Sequence, residues 1–253
     1  MNSLATAAVV FGCAFAAALA AMRVARRLPE HHLSSESRDV VKLGLGIIAT
    51  LTALVLGLLV ASAKATYDSQ DGAVKQLATN VSLLDRFLAH YGPETNELRE
   101  LLRQIVTITV ERIWPDSNAR TGDLSLGATR DTADLFYSKV AELQPRTEAQ
   151  RAVKARAMDL TSEMAQTRFR MYSQKESSVP IPFLVVLVFW LMTLFAGYGL
   201  LAPRNPTVVA VLLVCALSMS AAVFLVLELG RPFAGIIHVS SAPIQEALSQ
   251  IGK

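Results

Sequence analysis

Residues 43–63 contain no charged side chain, and the stretch then runs into Lys64, Tyr67 and Asp68 with no Pro or Gly to stop it. At roughly 1.5 Å per residue, about 21 residues cross the ~30 Å hydrocarbon core of a bilayer. A helix that begins in lipid and continues into water couples the two environments mechanically. The rest of the chain must then supply companion spans beside its first part and a soluble bundle around its second.

Composition agrees. Of 253 residues, 52% are hydrophobic and only 18% charged, where a soluble domain carries about 25%. The mean hydropathy is +0.39. The excess falls in four uncharged runs, residues 2–22, 43–63, 177–203 and 205–227, each long enough to span. The expected fold is all-α: a polytopic membrane protein with four transmembrane helices and a helical bundle inserted between the second and third. The expected parts are a first membrane pair at 1–63 (spans 3–22 and 43–63), a bundle at 64–179, a second membrane hairpin at 180–228 (spans 182–202 and 206–228) and a tail at 229–253.

The first run has a small-residue Ala18-Leu19-Ala20 site like that of a cleaved signal. However, no Lys or Arg precedes it, while Arg23, Arg26 and Arg27 follow. A secretory signal has the opposite polarity, so the run reads as a retained helix. Its small residues suit either a packing helix inside an oligomer or a plain anchor. His31 and His32 lack a second cluster at ligand spacing and read as a solvated loop. Ser34, Ser35 and Ser37 are capping residues for the second span. In that span, Gly44, Gly46, Gly57, Thr50, Thr52 and Ser62 admit two readings. Either they are packing contacts, with hydroxyls bonded to the preceding turn, or the helix lines a pore. In the second case Leu51, Val55 and Leu58 or Leu59, with Ser62 beyond them, form a ring that gates by dewetting. The pattern alone leaves both open.

Past the bilayer, Tyr67, Val74, Leu77, Val81, Leu84, Leu88 and Tyr91 follow helical spacing after a first step of seven, the seam of a packed helix. Gly92-Pro93 ends it. A second bundle helix is predicted from about Glu94 to Trp114, with Leu98, Leu101, Leu102, Ile105, Ile108 and Ile113 apolar. Residues 115–127 form a polar loop without calcium-loop spacing. A short helix follows near 130–143, and Thr147-x-x-Gln150 is a capping box for the next. On that helix, Val153, Ala157, Leu160, Met164 and Met171 keep the helical spacing.

Pro180 and Pro182 open the third span, and a tight turn at 202–206 makes the last two spans an antiparallel hairpin. Trp190, Phe189, Phe195 and Phe224 are expected to face lipid. At the far end stand Glu228 and Arg231, ionised groups that are costly alone near a bilayer and tend to pair. Ile244, Ala247, Leu248 and Ile251 form a short amphipathic helix for the bundle. Cys13 and Cys215 lie within apolar runs and read as small hydrophobes.

Three sequence elements carry a resemblance: Leu56-Gly57 followed by Ala63-Lys64-x-x-Tyr67-Asp68; Glu111-x-x-Trp114-Pro115; and Arg231-Pro232-Phe233-x-Gly235. Together with the layout, over residues 43–248, the chain resembles the bestrophin-like family of bacterial membrane proteins, itself distantly similar to bestrophin anion channels. The resemblance implies structural roles for Lys64, Tyr67, Asp68, Glu111, Trp114, Glu228, Arg231, Pro232, Phe233 and Gly235. It also implies a homo-oligomer, a pentamer in true bestrophins, whose second span lines a pore for chloride or other small anions. Here Ala234 is inserted within the Pro-Phe-Gly element. Arg231 and the apolar Ile236, Ile237 and Val239 replace the acidic cluster by which animal relatives respond to calcium, so no metal and no other cofactor is expected.

The charge balance excludes other classes. The sequence pI is about 9.0, but the net charge is only +3, and residues 64–180 hold 16 basic against 16 acidic side chains. That interspersed surface is no phosphate-binding stripe, and no nucleic-acid partner is implied. No hydrolase elbow, phosphate loop or paired catalytic carboxylates appear, so the chain reads as a non-enzyme. Basic residues near the span ends are nearly balanced between the two sides. The resemblance places the bundle in the cytoplasm and the spans in the bacterial inner membrane. The rival reading is a membrane-anchored helical sensor or scaffold protein without transport activity.

Overall fold

The computed structural model describes residues 2–29, 34–114, 127–173, 181–203 and 205–252. They form eight α-helices: α1 (Ser3–Val24), α2 (Ser35–Tyr91), α3 (Asn96–Ile113), α4 (Gly127–Glu142), α5 (Glu148–Ser173), α6 (Ile181–Leu201), α7 (Pro206–Leu229) and α8 (Ala242–Gln250). The protein is an all-helical, multi-pass membrane protein: α1, α2, α6 and α7 are each long and apolar enough to cross a bilayer. The uninterrupted α2 has 57 residues, a length of about 85 Å at 1.5 Å per residue. The sequence readings at His31 and His32, at residues 115–126, at Pro180 and at position 204 of the 202–206 turn lie outside the described residues.

The contacts divide the chain into two compact units, one of residues 1–65 and 177–230, the other of residues 66–176 and 231–253. In the first unit, α6 and α7 both pack on α1. Ala14 and Ala18 are buried among Phe195, Leu212 and Ala216. Val10 sits with Leu187, Leu191 and Val223, flanked by Leu56 and Leu59 of α2. Rising numbers on α1 match rising numbers on α6 and falling numbers on α7, so α6 and α7 run antiparallel with α1 as their shared partner.

Small residues make this approach possible. A Cβ built on Gly199 would lie 2.3 Å from the Ala18 carbonyl oxygen, so only glycine fits there. Ser220 Oγ donates to the Ala7 carbonyl at 2.6 Å, an interhelical bond of the kind that ties spans together where apolar burial has no driving force. One small face of α1, with Ala7, Ala14 and Ala18, is buried, while Ala8, Gly12, Ala16 and Ala20 stay exposed. One expectation is corrected. Phe195 is buried against α1 and does not face lipid, whereas Phe189 is exposed. Helical spacing alone cannot tell these two rings apart when every neighbouring residue is apolar.

In the second unit the end of α2 packs with α3, α4, α5 and α8 around one core. The predicted seam from Val74 through Leu77, Val81, Leu84 and Leu88 to Tyr91 is buried throughout. Leu98, Leu102 and Ile105 of α3, and Ala157, Leu160 and Met171 of α5, meet it, and Ile244, Ala247 and Ile251 close one side. The helix α4 begins at Gly127, three residues before the expected start.

The ends of the bundle helices are satisfied locally. Thr147 Oγ accepts from the Gln150 backbone N–H at 3.1 Å, while Gln150 Oε1 accepts from the Arg146 N–H at 2.8 Å. The second bond falls one residue earlier than in an ideal capping box. Lys154 Nζ donates to the carbonyls of Ala141 and Leu143, placing a cation at the negative end of α4. Arg99 grips Asp85 with two bonds of 2.7 and 2.9 Å. That fork raises the Arg99 pKa above its ordinary value, its hydrogen bond to Asp85 being the largest cause.

Candidate functional site

Within the first unit, the span of α2 has two distinct faces. Leu45, Thr52 and Ala63 are buried, and Leu56 and Leu59 turn toward the core formed by α1, α6 and α7. On the opposite face Leu43, Ile47, Leu51, Leu54 and Leu58 form an exposed stripe, at the steps of three and four that keep residues on one helical face. Ser62 continues it and Val55 sits half-buried at its edge. The stripe thus includes Leu51, Leu58 and Ser62, while Leu59 belongs to the packed side. Thr50 and Thr52 donate to the Gly46 and Ile48 carbonyls at 2.9 and 2.7 Å, so their hydroxyls are satisfied within the helix. A Cβ at Gly44, Gly46 or Gly57 would meet open space. Among the described residues nothing stands within 4 Å of those positions.

Within the second unit, motif residues distant in sequence converge into a clasp around the chain after Arg231. Tyr67 Oη donates to the His238 carbonyl at 3.3 Å. Trp114 Nε1 donates to the Val239 carbonyl at 2.8 Å. The Trp114 ring meets Phe233 edge to face, with centroids 5.7 Å apart and an 82° interplanar angle, an arrangement that matches ring edge to ring face. Inside the segment, the Ala234 N–H bonds the Arg231 carbonyl at 3.1 Å and the Val239 N–H bonds the Pro232 carbonyl at 2.8 Å. Gly235 takes φ +143°, a conformation in which a Cβ is strained. The fully buried Val239 side chain anchors the segment in the bundle core.

The profile of the bestrophin-like domain matches residues 12–244. The chain belongs to the bestrophin-like family. No curated protein sequence matches it. Its fold is similar to the crystal structure of a point variant of a bacterial bestrophin homologue from Klebsiella pneumoniae. The TM-score is 0.65 at 12% sequence identity, over 96% of this chain and 98% of that one. At that identity the likeness is one of fold.

The remaining motif residues of this bestrophin-like chain are placed as follows. Lys64 and Asp68 are exposed on α2, and Glu111 is exposed on α3. Glu228 is buried near the end of α7, while Arg231 is exposed. What sequence reading missed is the acceptor side of the clasp. The carbonyls of His238 and Val239 do the accepting, and backbone groups leave no trace in residue type. Gly199 was equally unmarked, because its role depends on a neighbour in another helix. Among the described residues no three His, Cys, Asp or Glu side chains gather as a metal site would require.

Proposed function

We propose that the protein is the subunit of a homo-oligomeric anion channel of the bacterial inner membrane, with the second span lining the pore. One observation carries this reading: the exposed stripe of α2, opposite a face committed to its own subunit. Glycines with open space around them lie along the same span, and small residues let helices of neighbouring copies approach. With copies arranged about an axis, Leu51, Val55 and Leu58 form an apolar constriction and Ser62 a hydroxyl ring beyond it. Such a neck passes ions when wetted and blocks them when dry. Leu59 is left out of the ring because it packs against the other spans. The bundle lies in the cytoplasm, as the family resemblance implies.

The decisive experiment is chloride conductance of the purified oligomer in planar bilayers. Wild-type protein passes chloride, and Leu58→Ser raises the conductance severalfold by easing wetting of the neck. Silent bilayers from intact oligomers would overturn the channel reading. A cysteine at the exposed Glu100 position, shielded from an impermeant maleimide in whole cells, places the bundle in the cytoplasm. Ready labelling would place it outside and favour the anchored-sensor reading.

A further inference from the structure

The second unit holds a cavity of about 420 Å³ walled by α2, α3, α4 and α5 with Ile244 of α8, within the ~300–1,000 Å³ range of small-molecule sites. Its floor is apolar, with Leu84, Leu102, Val106 and Phe136 buried there. Two hydroxyls in the wall are already committed: Thr109 donates to the Ile105 carbonyl and Thr161 to the Ala157 carbonyl, each at 2.7 Å. Arg168 is different. It lines the cavity half-buried, yet makes no hydrogen bond or ion pair with any described residue. Burial lowers its pKa and the nearby Asp134 partly offsets that, but Asp134 is exposed and does not close a bridge. Elsewhere on α5, Lys154 caps α4, Arg151 pairs with Glu148, and Arg156 lies near Asp159 and Glu163.

A half-buried guanidinium in the wall of an apolar cavity, with no hydrogen bond to a described residue, is an expensive arrangement unless something completes it. The wall has one cationic side chain, Arg168, and one carboxylate, Asp134, and the exposed Ser162, Tyr137 and Gln166 also line it. A single guanidinium beside a carboxylate suits a monoanion better than a doubly charged phosphate. The planar fork matches a carboxylate with two parallel bonds. At roughly 30 Å³ per water-sized atom, the space holds about a dozen non-hydrogen atoms.

We infer that this cavity binds a small organic carboxylate with an apolar body, its carboxylate paired with Arg168 and its body seated on Leu84, Leu102, Val106 and Phe136. The inference is independent of conduction, since every residue in it belongs to the bundle.

The test is isothermal titration of phenylbutyrate into the full-length protein in phosphatidylcholine nanodiscs, with empty nanodiscs subtracted. Saturable binding is expected, with the neutral phenylbutyramide at least tenfold weaker. Arg168→Gln should erase the difference between the two ligands without loss of helicity, and Arg168→Lys should restore part of it. Asp134→Asn, which removes the rival carboxylate, should tighten phenylbutyrate a few-fold. Filling the cavity with Ala133→Phe should abolish both ligands. Equal affinity for acid and amide, or an unchanged preference in Arg168→Gln, would overturn the proposal, as would absence of saturable binding. Repeating the titration with phosphatidylglycerol included separates the sources. Unchanged affinity assigns the site to a soluble carboxylate, and competition by the lipid would overturn that assignment.

Discussion

The two halves of α2 have the same backbone and opposite surfaces. In the half after Thr66, apolar residues are inside: Leu84 and Leu88 are each 0% exposed. In the half before it, Leu54 and Leu58 are 61% and 62% exposed. Both halves keep residues at steps of three and four. In water such a stripe must be covered, because the hydrophobic effect drives it against another element. In a membrane span the same stripe has no such drive, so its leucines need not be covered by their own chain. Periodicity therefore locates the core of the bundle but only names a face of the span.

That contrast can be broken most severely at Leu84. Leu84→Asp places a carboxylate in the centre of the bundle without a partner, and no folded protein is expected in size-exclusion chromatography of the solubilised chain. Next is the clasp. Trp114→Ala removes the ring against Phe233 and the bond to Val239, and should cost about 3 kcal/mol in denaturant titrations. Trp114→Phe keeps the ring and should cost only about 1 kcal/mol. If the two variants are equally destabilised, the hydrogen bond dominates and the aromatic packing argument is wrong.

In the spans the effects are smaller. Gly199→Val forces a Cβ onto the Ala18 carbonyl and should cost about 1–3 kcal/mol, read as a lower melting temperature in detergent. Ser220→Ala should cost about 0.6 kcal/mol, the mean for interhelical bonds in membranes. Smallest is Leu54→Ala, within about 0.5 kcal/mol, against about 2–5 kcal/mol for Leu84→Ala in the same helix. A Leu54→Ala cost comparable to that of Leu84→Ala would show the stripe to be tightly packed against another copy, and would erase the distinction between the halves.

Much of the fold was legible in residue order. Four uncharged runs and the unbroken passage from residue 63 into Tyr67 sufficed for four spans and a long α2. The apolar steps from Val74 to Tyr91 sufficed for its buried seam. Turn chemistry at Gly92-Pro93 and Thr147 located helix ends, because caps are local. The candidate site was legible only in part. Tyr67, Trp114 and Phe233 were singled out as motif residues, but their convergence on two backbone carbonyls depends on the path of residues 231–239.

The sequence by itself determined which segments enter lipid and which apolar residues of the bundle lie inside, since both follow from transfer free energies summed along a helix. Tertiary structure alone decided that α1 is the common partner of α6 and α7, that Phe195 faces inward while Phe189 faces outward, and that Leu59 lies on the packed side of α2. In a span where nearly every residue is apolar, no contrast in polarity records which way a side chain points. Only the shape of the neighbouring helices distinguishes one face from another.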